Sequence, residues 1–63
     1  MNDIICMIYR GDLKEARKAL RPMRKTNNAA AKAFNLINNV LSGAQEDIAA
    51  ACTRAIVHLQ GEV

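Results

Sequence analysis

Six basic side chains fall between residues 14 and 25: Lys14, Arg17, Lys18, Arg21, Arg24 and Lys25. Ammonium and guanidinium groups at this density offer contacts to phosphate oxygens, which give affinity without reading base sequence. On a helix, Lys14, Lys18 and Arg21 project into one sector. Lys14–Lys18 and Arg17–Arg21 are then like-charge pairs one turn apart, each costing about 0.2–0.5 kcal/mol. Arg24 and Lys25 follow Pro22, so spacing alone does not put them on the same stripe. Two readings stand: a solvated basic face, or a contact face for phosphate or an acidic partner.

The charge is unevenly placed along the chain. Residues 1–32 hold eight basic and three acidic side chains, and residues 33–63 hold one basic and three acidic. The formal net charge of +3 is therefore a basic first half joined to a mildly acidic second half. Base-reading features are weaker than phosphate-contacting ones. Asn27, Asn28, Asn35, Asn38 and Asn39 could each pair with adenine, yet their segment carries only Lys32 as a positive charge. A recognition helix in a helix-turn-helix needs base-edge side chains within a supporting charge field.

Catalytic and metal chemistry have little to work with. His58 is the single histidine, and Cys6 and Cys52 lie far apart without a CxxC pair. Zinc takes four ligands, usually paired at short spacing, so no site can be assembled from these three. His58 is expected to meet helix-terminal carbonyls or solvent. The cysteines read as small buried hydrophobes, with a Cys6–Cys52 disulfide as the minor alternative because nothing marks secretion. Ser42 sits beside Gly43 with no base nearby in sequence. Asp12, Glu15, Glu46 and Asp47 are accounted for by helix starts. A helical chain this short has little room for a ligand pocket of several hundred Å³. The expectation is a non-enzymatic protein without cofactor or metal.

The elements that must position the basic face follow from composition and period. Hydrophobic residues make up 51% of the 63 positions, but eleven of them are alanine, and Tyr9 and Phe34 are the only aromatics. A chain of this size hides only about 60% of its unfolded surface, so small folds often lean on a partner subunit. Residues 3–10 form a short apolar run with β-branched and aromatic members, ending at Gly11. Its length and composition predict a strand, with a helix up to Gly11 as the rival. No second strand-like segment exists, so the strand would pair with its copy across a two-fold axis.

Three helical stretches follow. The first starts at Asp12, with Glu15 completing a capping-box pattern, and stops near Arg21 ahead of Pro22. Its apolar seam is Leu13, Ala16, Leu20 and Met23. The second covers about 29–41, capped from Thr26, Asn27 or Asn28, with a seam through Ala30, Ala33 or Phe34, Ile37, and Val40 or Leu41. Ser42 and Gly43 end or kink it. The third covers about 44–60, with Glu46 and Asp47 in its first turn and Gly61 at its end. Its seam is Ile48, Cys52, Ala55 and Leu59, widened by Ala51 and Ile56, with Val57 pointing roughly opposite Ile48.

The predicted fold is therefore a single domain over 1–63, mainly α, with a short N-terminal strand and two to three helices in an intertwined homodimer. The residues expected at the dimer contact are Ile4, Ile5, Met7, Phe34, Ile37, Ile48, Cys52 and Leu59. A cleft left between helices could accept an amphipathic helix from another protein. No apolar run is long enough to span a membrane, and the N-terminus lacks the pattern of a secretion leader. The expected setting is the cytoplasm.

Residues 10–20, Arg-Gly-Asp-Leu-Lys-Glu-Ala-Arg-Lys-Ala-Leu, resemble the turn and second helix of a tetratricopeptide repeat. The pattern does not recur downstream, and a solenoid needs several copies. The whole chain, from Met1-Asn2-Asp3-Ile4-Ile5-Cys6 through Gly61-Glu62-Val63, resembles the small early proteins of lambdoid bacteriophages encoded between the exonuclease and excisionase genes. That resemblance implies a non-enzymatic early protein of the infected bacterial cytoplasm that favours lytic development. The function expected from the helical seams and the basic face is binding of a host or phage protein through a hydrophobic helical cleft bordered by that face. The alternative is a dimeric nucleic-acid-binding protein using residues 10–25.

Overall fold

Two glycines in the left-handed region turn the chain where side-chain-bearing residues resist turning. Gly11 has φ +82° and Gly43 has φ +83°, a conformation that costs glycine little and other residues more. In the computed structural model, which describes residues 2–44 and 46–61, they stand at two of the three junctions between four helices. These are α1 (Asn2–Tyr9), α2 (Leu13–Leu20), α3 (Asn28–Leu41) and α4 (Ile48–Gln60). A 3₁₀ turn, Arg21–Met23, continues directly from α2 and carries Pro22 near its start.

The helix starts differ in how they satisfy their free amides. Asn27 is extended and its side-chain oxygen accepts from the Ala30 amide at 3.0 Å. Asp47 does the same for Ala50 at 3.0 Å. Each such cap contributes about 1 kcal/mol. Asp47 thus sits before α4, and α4 begins four residues later than the 44 expected from sequence. Residue 45, counted in that expected start, lies outside the described residues. Asp12 precedes α2 with ψ 62° and makes no side-chain cap bond, so the capping box with Glu15 does not form. Its carboxylate pairs instead with Arg10 Nε at 3.4 Å on the exposed surface. Such an exposed pair contributes about 0–1 kcal/mol.

The strand expected over residues 3–10 is helical here. Ile4, Ile5 and Ile8 are buried, while Cys6 and Tyr9 face solvent. That spacing of i, i+1 and i+4 puts the three isoleucines on one helical face. A helix satisfies its own amides and carbonyls within one chain, whereas the expected strand needs the mate that a second copy would supply. The Met7 carbonyl also receives the Asp12 amide at 2.8 Å across the Gly11 turn, tying α1 to the start of α2.

The core sits where the four helices meet. α3 and α4 form a helical hairpin with the largest interface in the molecule; α2 lies on α3, and α1 packs on α2 and α4. Ala30 and Ala33 of α3 and Ala51 and Ala55 of α4 are buried with almost no exposure. Small residues at these positions let helices pack closely while adding little area. The largest fully buried side chains are Leu20, Ile37 and Leu59. The radius of gyration is 10.1 Å, near the roughly 11 Å of a compact chain this long.

Among the residues expected at a dimer contact, Ile4, Ile5, Phe34, Ile37 and Leu59 lie inside this one-chain core. Met7 and Cys52 pack half-buried against it. Ile48, placed on the apolar seam by sequence, is 54% exposed, because the buried face of α4 runs through Ala51, Ala55, Ile56 and Leu59. Among the described residues no helix is long and apolar enough to cross a membrane.

Candidate functional site

The six basic residues are presented by α2, the 3₁₀ turn and the turn that follows it. Pro22 does not throw the chain off course. The Arg24 amide still reaches the Leu20 carbonyl at 3.1 Å, and the Asn27 amide reaches the Met23 carbonyl at 3.0 Å. Arg24 and Lys25 therefore continue the wall begun by α2, a placement that spacing around a proline does not reveal. Lys14, Lys18, Arg21 and Lys25 fall at intervals of four, three and four residues, which is the rhythm of one helical stripe. Arg17 and Arg24, seven residues apart, form a second stripe beside it.

That second stripe is anchored to α3. Arg17 Nη1 donates to Asn38 Oδ1 at 3.1 Å. The Arg24 guanidinium carbon lies 4.8 Å from the centroid of the Phe34 ring, within cation–π range. Phe34 and Asn38 are one turn apart on α3, so two arginines two turns apart on one wall meet two residues one turn apart on the other. Phe34 is 9% exposed, so its ring belongs to the core and shows the groove little more than its rim. Arg24 itself is exposed.

Between these walls lies an open groove of about 550 Å³, lined by Lys14, Glu15, Arg17, Lys18, Arg21, Phe34 and Asn38. A second groove of about 370 Å³ is lined by Lys18, Arg21, Pro22, Arg24 and Lys25. Lys18 and Arg21 line both, so the grooves share a basic ridge. Surface space of several hundred Å³ thus exists where the sequence suggested little room. Among the described residues the one ion pair is Arg10–Asp12, so the ridge is not neutralised by bonded carboxylates. Glu15 is the single acid on the lining of the first groove.

The remaining sequence candidates are dispersed. His58 is half-buried in the last turn of α4. Among the described residues no three metal-ligating side chains come together. Both cysteines are free, and Cys6 is exposed rather than buried as expected, because it lies on the outer face of α1 opposite the isoleucines. Burial pushes the Cys52 thiol up from its ordinary pKa, which lowers its thiolate fraction and its reactivity. Of the asparagines, Asn27 is used as a cap and Asn38 holds Arg17, while Asn28, Asn35 and Asn39 are exposed on α3.

Among the described residues the nearest candidate for an apolar cleft is a groove of about 310 Å³ lined by Gly11, Asp12, Leu13, Lys14, Glu15 and Leu41, where apolar surface is bordered by three charged side chains. Sequence reading did not foresee Asn38 and Phe34 as supports for Arg17 and Arg24. The signal was present as matching spacings, four residues on α3 and seven on the basic segment, but nothing local said that these two faces meet. Compared with protein-family models, with curated proteins and with solved structures, the chain matches none.

Proposed function

We propose that the protein is a non-enzymatic binding protein that holds nucleic acid by its phosphate backbone through Lys14, Arg17, Lys18, Arg21, Arg24 and Lys25. One observation carries the reading: all six cations line two grooves that share the Lys18–Arg21 ridge. Phosphate contacts of this kind release counterions and give affinity without base readout. The rival is a hydrophobic cleft that grips another protein; Ile37 and Leu59 are buried inside the chain, while Tyr9, Ile48 and Val57 are exposed.

The resemblance to lambdoid phage early proteins supplies a biological setting for this proposal, in which a host-cytoplasmic early protein contacts nucleic acid during lytic development. A homodimer would present two such ridges and raise affinity by linkage. Sedimentation at micromolar concentration tests that addition, and a folded monomer across the range removes it.

The test of the main proposal is anisotropy with a labelled single-stranded 20-mer at several salt concentrations. Binding is expected at about 50 mM salt and should fall linearly on log–log axes. The slope should be no steeper than about −4, the limit for six contacts at about −0.7 each on a single strand. Absence of binding at the lowest salt sinks the proposal.

A further inference from the structure

We infer that the nucleic acid held here is single-stranded, with one unpaired base stacked on the outer face of the Arg24 guanidinium. The inference rests on the phosphate-binding reading above and adds what the strand does with its bases. Arg24 has one face turned to the Phe34 ring, at 4.8 Å from its centroid, and the residue is otherwise exposed. A guanidinium resting over an aromatic ring is given a preferred position by it, and its solvent side accepts a base in the way an aromatic platform does. Phe34 cannot serve directly, because it is 9% exposed and covered by Arg24.

The neighbours of that plane suit the rest of a strand. Arg24 shares its groove with Lys18, Arg21 and Lys25, so cations flank the stacking face on both sides in sequence. Phosphates on either side of a stacked base would find them. A duplex keeps its bases paired and stacked on one another, so it could use the cations but not the Arg24 face. The exposed residues Asn35 and Asn39 lie on the same helix that carries Phe34, but nothing holds them against the groove, so sequence preference should be weak.

The experiment compares labelled oligo-dT of about twelve nucleotides, an abasic strand of equal length, and a duplex of equal length, each at the same salt concentration. Oligo-dT should bind about 5- to 150-fold more tightly than the abasic strand, the range for one stacked base. Arg24→Lys keeps the charge and loses the plane. It should bring the ratio of oligo-dT to abasic affinity close to one, whatever it does to binding of the abasic strand itself. Equal binding of oligo-dT and the abasic strand, or duplex binding as tight as oligo-dT, overturns the inference while leaving backbone binding intact. Binding of none of the three defeats the underlying reading as well. Poly-glutamate binding as tightly as oligo-dT would assign the ridge to acidic proteins and overturn both. The abasic comparison uses the unaltered chain, so it decides the matter even if the Arg24 variant folds poorly.

Discussion

The α3–α4 hairpin and the α2 edge divide the work of the molecule between them. The hairpin contributes eight of the buried residues, four of them alanines, and carries Lys32 and Arg54 as its only basic side chains apart from His58. α2 with its 3₁₀ turn buries only Ala16 and Leu20, yet with the following two residues it displays six cations. A short helix that spends so little of its surface on the core can give the rest to charge. The repulsion this creates is tolerable because the hairpin supplies the packing, and because Arg17 and Arg24 are fastened to α3 rather than left to repel their neighbours. Stability and binding should therefore be separable by mutation.

The largest effect should come from the hairpin. Ile37→Ala or Leu59→Ala leaves a cavity in a fully buried site and should cost about 2–5 kcal/mol. A chain of this size has roughly 3–9 kcal/mol in total, so thermal melting followed by circular dichroism should show near-complete loss of fold. A mild effect there would mean that the hairpin is not where the stability resides. Next, the double variant Lys18→Glu with Arg21→Glu reverses both residues common to the two grooves. Nucleic-acid affinity at low salt should drop on the order of 100-fold, with the melting temperature within a few degrees of the parent. If folding and binding fall together, the division fails.

Smaller changes sharpen the comparison. Gly43→Ala forces a side chain into the left-handed region at the end of α3 and should cost about 1–2 kcal/mol. No neighbouring atom lies within 4 Å of the added carbon, so the cost is backbone strain alone. Measured by urea titration, it should lower stability without altering binding of the folded protein. Asn38→Ala removes the acceptor of Arg17 and should cost about 1 kcal/mol or less. Its diagnostic result is a few-fold loss of affinity with an unchanged salt slope, because the charge remains while its position loosens.

Three of the four helices are legible in the sequence because their signals are local. Asn27 announces a cap, Pro22 marks the end of α2, and Gly43 stops α3, whereas Asp47, read within a first turn, is the cap of α4. Less legible features depend on competition or distance. Residues 3–10 satisfy both a strand's composition and a helix's spacing, and what decides is whether a mate exists. Asp12 and Asp47 are the same residue type before a helix, yet only Asp47 reaches an amide, while Asp12 lies 3.4 Å from Arg10 instead. The basic segment was visible from the sequence, but its anchors were not. The Arg17–Asn38 bond joins residues 21 apart in sequence, a contact that exists only once α2 lies on α3.

The unbroken passage from α2 into the 3₁₀ turn also sets a length scale. Lys14 and Lys25 are eleven residues apart, which at helical rise gives a ridge of about 17 Å. At the 3.4 Å per nucleotide of a fully base-stacked strand this is a footprint of at most about five nucleotides, and fewer where the strand is extended. Longer strands would then be occupied by several chains side by side.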